Sequence, residues 1–244
     1  MNSRIKVAAV SYLNTKPLLY GIEKSVVIKD IDLILDYPSG LAKKLQDGII
    51  DLALLPVAAI PHIKGANIIS NYGIASNGNV VSVALFSDVP LEDIKKVYLD
   101  YQSRTSVKLA QILLENYWKI KVEFLPAHEN YIEDINVTTA GVIIGDRALK
   151  NLNRFKYNYD LSAAWKNHTG LDFVFAAWVA NKKLPTQFVD MFNAANENGL
   201  QHLDIVIALN PCNYYDLNTY YSKNIQFLLD DTKKQGLELF LKKL

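Results

Sequence analysis

The chain has almost no cysteine: Cys212 stands alone among 244 residues. A lone thiol closes no internal disulfide, so nothing calls for an oxidising compartment. An excess of charge is missing too. The 26 Lys and Arg residues are matched by 25 Asp and Glu, and they are scattered along the chain. That leaves no basic footprint for nucleic acid or for an anionic membrane surface. Long apolar runs are absent, none approaching the roughly 20 residues of a membrane span. The run in MNSRIKVAAVSYLN is too short for a signal-peptide core and enters polar residues at once. With Met1 at its head, the chain reads as a soluble cytoplasmic protein. Metal spacing is lacking: His62, His128, His168 and His202 are isolated, with no HExxH and no paired cysteines. There is no Walker loop, no GxGxxG after the first strand and no GxSxG elbow. Cys212, in NPCNYY, has no histidine nearby in sequence and reads as an inert thiol. Neither a metal nor a cofactor is expected.

Half of the residues are hydrophobic, enough for a core, and the length suits one large or two small domains. Short apolar runs alternate with amphipathic segments. IKVAAV (5–10), IDLILDY (31–37) and DLALLPV (51–57) read as strands. Between the last two, SGLAKKLQDG reads as a helix capped by Ser39 and stopped by Gly48. Strand, helix, strand with short links implies βαβ units and a parallel sheet. A second set follows: VVSVALFS (80–87), KKVYLDY (95–101), a helix over about 104–118, KVEFLPA (121–127) and AGVIIGD (140–146). That helix shows its apolar face as Ala110, Leu113, Leu114 and Tyr117. FVFAAWVANK (173–182) is another strand, and from Leu184 onward the pattern is helical, with Gly199 as a stop.

No flexible linker joins the two sets. VVSVALFS leads out and FVFAAWVANK leads back. Two apolar crossover strands between α/β lobes resemble the two-lobed periplasmic-binding-protein architecture, with one lobe from 1–84 plus 180–244 and the other from 85–179. A single doubly wound sheet is the alternative. Either way, ligands of such folds bind beyond the C-terminal ends of the strands.

The polar residues fall at those ends. In SYLNTKPL, Pro17 suits the first turn of a helix. Ser11, Tyr12, Asn14 and Thr15 either face a polar ligand or serve as helix cap and turn. In YQSRTSVKLAQ, Ser103, Arg104, Thr105 and Ser106 stand at the start of a helix, whose N-terminus carries about half a positive charge; they either form a nest for an anion or are an N-cap beside a surface arginine. The absence of glycine there favours a carboxylate over a phosphate. In IIGDRALK, Gly145 ends a strand, and Asp146 caps the next helix or pairs with Arg147. Ser82, inside an apolar run, either bonds locally or points into the cleft. The aromatics Tyr12, Tyr37, Tyr72, Trp165, Phe173, Phe175 and Trp178 are candidates to line that cleft, most of them being ordinary core.

SYLNTKPL, DLALLPV, NGNVVSVALFS, SRTSV, GDRAL, WKNHTGLDFVFAAW and the late GLELFL stand in one order. Together they resemble the chorismate dehydratase family of the futalosine route to menaquinone, over nearly the whole chain. The resemblance implies a type II periplasmic-binding-protein-like fold turned enzyme, a lyase that removes water from chorismate to leave 3-[(1-carboxyvinyl)oxy]benzoate. It implies that the substrate's own enolpyruvyl carboxylate takes the proton, and that Asn14 and Ser82 hold the reacting groups. Ser11, Tyr12, Thr15, Ser103, Arg104, Thr105, Ser106, Gly145 and Asp146 would bind the substrate. After Pro56, where that family would place a serine and an acidic residue, this chain reads VAAI. The sister family that makes dihydroxynaphthoate shares the fold, and a cytoplasmic sensor of an aromatic carboxylate is the non-enzyme alternative. The expected partner is a small molecule, with neither nucleic acid nor membrane. Monomer and homodimer both remain open.

Overall fold

The computed structural model describes residues 4–36 and 38–244, without the side chains of Pro38 and Ser39. Tyr37 and the expected Ser39 cap therefore lie outside the described residues.

Eleven strands form two sheets among the described residues. The chain opens with β1 (Ile5–Ala9), α1 (Lys16–Lys24), β2 (Ile31–Leu35), α2 (Pro38–Gln46), β3 (Leu52–Pro56) and β4 (Asn67–Ser76). β1 pairs in parallel with both β2 and β3, as expected of strands linked through helices. β3 reads LALLP because the sheet buries it on both faces. Gly48, two residues past α2, takes the left-handed conformation (φ 69°) that ends a helix.

The second sheet is built from β5 (Val83–Ser87), β6 (Lys96–Leu99), β7 (Glu123–Pro126), β8 (Thr139–Ile144) and β9 (Tyr157–Asp160). Its order is β7-β6-β8-β5-β9. α3 (Arg104–Ile112) follows β6, α4 (Gly145–Asn151) follows β8, and α5 (Leu161–Thr169) follows β9. The helix expected over 104–118 changes character on the way. Leu113–Tyr117 is a π-turn, with the Trp118 N–H reaching back to the Leu113 carbonyl at 2.8 Å.

β10 (Phe173–Ala180) then returns to the first sheet, whose order is β11-β4-β10-β3-β1-β2. The chain closes with α6 (Thr186–Gln201), α7 (Leu203–Leu209), α8 (Leu217–Thr219) running into a π-turn at Tyr220–Asn224, β11 (Gln226–Leu228) and α9 (Asp231–Leu241). The two passages between sheets lie side by side, since Ser76 at the end of β4 pairs with Phe173 at the start of β10.

Three expectations change here. The strand leaving the first sheet is β4, not residues 80–87, of which only 83–87 form a strand and in the second sheet. All of β10 pairs within the first sheet, so the return falls before residue 173 rather than at 180. Gly199 does not stop a helix; it lies inside α6 where α1 crosses. A Cβ there would meet the Pro17 carbonyl at 1.9 Å, and one at Gly21 would meet the Ala195 carbonyl at 2.0 Å. Only glycines allow the two helices this approach.

Candidate active site

The C-terminal ends of β1, β3, β6 and β8 open onto one cleft between the sheets. After β1 the chain makes a 3-10 turn, Leu13–Thr15, that runs into α1 with Pro17 in its first turn. Thr15 supplies no cap to the helix. Its hydroxyl lies 2.7 Å from the Val10 carbonyl and 2.8 Å from that of Tyr12, which ties the turn to itself. The turn presents Asn14 to the cleft, and Asn14 Oδ1 is buried without a hydrogen-bond partner. Ser11 is exposed, accepts from Lys16 Nζ at 2.7 Å and does not line the cleft.

On the opposite wall, Ser103 is the N-cap of α3. Its Oγ accepts from the Ser106 N–H at 3.1 Å and bonds the Ser106 hydroxyl at 2.9 Å. Both serines line the cleft, at the positive end of the helix dipole. Thr105 is buried and accepts from the Ala58 N–H at 3.1 Å, so the VAAI turn after Pro56 docks on α3 through its backbone. Arg104, the first helical residue, is exposed and is not among the lining residues.

Asp146 neither caps α4 nor pairs with Arg147. It reaches across and accepts from the Leu13 N–H at 3.2 Å, and burial pushes its carboxyl above the usual range. Arg147 binds both carboxylate oxygens of buried Asp100, at 2.7 and 2.8 Å. Asp100 also accepts from Tyr131 Oη (2.9 Å) and from the Gln102 N–H (2.8 Å). Gln102 is thereby fixed where its Oε1 accepts from Tyr12 Oη at 2.9 Å, across the cleft. Burial pushes the Tyr12 phenol up to about 12, so it stays a donor at neutral pH. Three bonds, from Tyr12, Leu13 and Ala58, thus join the two walls.

Ser82 stands just before β5, and the turn that carries it is strained. Val81 holds φ 57°, rare for a β-branched residue. Its N–H donates to Asp160 Oδ2 at 2.7 Å, the Ser82 N–H donates to the Val80 carbonyl at 2.7 Å, and the Ser82 carbonyl accepts from the Gly145 N–H at 2.7 Å. The hydroxyl of Ser82 lines the cleft, and its partner is not local: it accepts from Tyr220 Oη at 2.8 Å, 138 residues along the chain.

The cleft volume, about 80 Å³, is several times the ~10–15 Å³ that one water needs. Leu54, Ile74, Val83, Ile144 and Phe175 give it apolar walls, and Tyr12, Asn14, Thr15, Ser82, Gln102, Ser103 and Ser106 its polar groups. Of the other expected aromatics, Trp165, Phe173 and Trp178 are core and Tyr72 is half-buried outside the lining. No formally charged side chain stands among the described lining residues. Such a site holds an anion by dipoles and hydroxyls, and a ring by its walls. The sequence reading missed Gln102, beside the serine cluster, and Tyr220, far from it in the chain.

Two α/β sheets facing across a polar cleft define a binding-protein-like class. The structure is similar to a protein of Archaeoglobus fulgidus, with a TM-score of 0.75 at 12% identity, covering 99% of this chain and 97% of that one. It is also similar to the alkanesulfonate-binding protein SsuA from Xanthomonas axonopodis pv. citri bound to MOPS, with a TM-score of 0.65 at 9% identity over 98% and 90% of the chains. Within that fold the chain belongs to the family described as menaquinone biosynthesis, which it matches over residues 5–244. Among curated relatives, the chorismate dehydratase of Thermus thermophilus is 25% identical over 94% of this chain and 91% of its own length. That of Campylobacter jejuni is 28% identical over 75% and 71%.

Proposed function

We propose that the protein is a cytoplasmic chorismate dehydratase, forming 3-[(1-carboxyvinyl)oxy]benzoate on the futalosine route to menaquinone. Membership of the menaquinone family and the names of its relatives supply the reaction. The observation that carries it to this site is the unpartnered, buried carbonyl of Asn14 in a cleft without formal charge. A carbonyl oxygen only accepts, so it needs a donor on its ligand. Chorismate as a dianion has one donor, the ring hydroxyl that leaves as water.

The ring carbon bearing the enol ether loses its proton, its C–H electron pair becomes a ring double bond, and the neighbouring C–O bond breaks. The ring gains aromaticity, so the driving force lies in the substrate. The substrate's enolpyruvyl carboxylate takes the proton and passes it to the departing hydroxyl, which leaves as water, in keeping with a lining whose described residues offer no histidine or carboxylate as base. Asn14 orients the hydroxyl, Ser82 donates to the departing oxygen, and the α3 N-terminus with Ser103 and Ser106 holds a carboxylate.

Incubating the purified protein with chorismate and separating the products by chromatography tests this. Appearance of the carboxyvinyloxy benzoate at a catalytic rate is expected. Binding without turnover would turn the reading to a sensor of aromatic carboxylates.

A further inference from the structure

The C-terminal segment brings two tyrosines against the back of the site, outside its lining. Tyr220, from the π-turn after α8, is fully buried and donates to Ser82 Oγ at 2.8 Å across 138 residues of sequence. Tyr221 donates to the Leu13 carbonyl at 2.9 Å, in the turn that carries Asn14. The rings pack together, 5.5 Å between centroids, and Tyr215 meets Tyr220 edge-on at 6.1 Å. Burial keeps the Tyr220 phenol far above its usual range, so it never ionises near neutrality.

A hydroxyl pair leaves two choices for the shared proton. Tyr220 Oη has no other partner among the described residues, so acting as acceptor would strand its own proton in the core. As donor it is satisfied. Ser82 has one proton, and among the described residues that proton has no protein acceptor. With its backbone fixed by Val80 and Gly145 and its Oγ occupied from the Tyr220 side, the open direction is the cleft.

We infer that Tyr220 is a positioning residue for the dehydration: by donating to Ser82 Oγ, it leaves the single Ser82 proton to be aimed at the oxygen that leaves the substrate. The assignment rests on the proposed function above. It adds that Ser82 works as a donor polarised by the hydrogen bond its Oγ accepts from Tyr220.

The test is a double-mutant cycle of Tyr220→Phe and Ser82→Ala, with chorismate turnover as the readout. Phenylalanine keeps the ring and removes the one donor. Tyr220→Phe should lower kcat about tenfold or more, as expected for one well-aligned hydrogen bond, with KM within about threefold. In the Ser82→Ala background the same change should have under about a twofold effect. An equal loss in both backgrounds would show that Tyr220 merely supports the fold and would overturn the assignment alone. A wild-type protein that leaves chorismate unchanged would refute the function and the assignment together. Should Tyr220→Phe fail to fold, the Tyr220 hydroxyl proton is read directly by NMR in the wild type. It should resonate downfield and move on Ser82→Ala, and an unmoved signal would overturn the assignment.

Discussion

The bond between the walls through Tyr12 and Gln102 depends on Asp100, and Asp100→Asn isolates what its charge contributes. The carboxylate is buried, its side chain fully enclosed, while a quarter of the Arg147 side chain reaches solvent (25%). Asparagine keeps the size and one acceptor for the Gln102 N–H, but it leaves the guanidinium without its counter-charge. Removing one partner of a buried pair costs about 3–5 kcal/mol. Because water reaches Arg147, the lower end, about 3 kcal/mol, applies. Over 244 residues the unfolding entropy is about 0.5 kcal/mol per kelvin, so the midpoint should fall by about 6 °C. Thermal unfolding followed by circular dichroism reads this. Adding Arg147→Met should recover part of the loss, since the stranded charge is gone. A shift under about 2 °C for Asp100→Asn would refute the claim that this ion pair anchors the wall.

Two further outcomes follow from the same geometry. Burial, outweighing bonds from the N–H groups of Ala163, Val81, Val80 and Ser162, pushes the Asp160 carboxyl from 3.8 up to about 6. The folded protein holds this proton more tightly than the unfolded chain, so the group's stabilising contribution is complete below about pH 4 and is lost as pH rises through about 6. Turnover should run the other way: protonation below about pH 6 weakens the grip on the Val81 N–H that fixes Ser82, giving a limb in kcat that Asp160→Asn abolishes. A limb retained in that variant would contradict this role. Arg104→Ala should change kcat/KM by under about twofold, as fits an exposed residue outside the lining, and a large rise in KM would restore the arginine to the site.

The strand and helix order was legible because β1, β3, β8 and β10 are apolar runs broken at polar turns. The serine cap at 103 was legible for the same local reason. β4 was not: NIISNYGIAS has no clean alternation, and it forms a strand because β10 and β11 flank it. β11 hides in a helical stretch for a like reason. Asn14 and Ser82 were reached through the family resemblance; what the structure adds is an unpartnered carbonyl on Asn14 and a strained turn at Val81 before Ser82. Arg104, named with the serines from the sequence, is exposed and stands outside the lining. Tyr220 and Tyr221 carried no signal, since their partners lie 138 and 208 residues away in sequence.

The central claim is that Asn14 orients a reacting hydroxyl rather than supplying general affinity. Asn14→Ala, assayed for chorismate turnover and by calorimetry for chorismate binding, tests it most directly. Turnover should fall by about 100-fold or more, the scale seen for loss of one preorganised polar group, while Kd stays within about fivefold. Undiminished turnover in that variant would contradict the account.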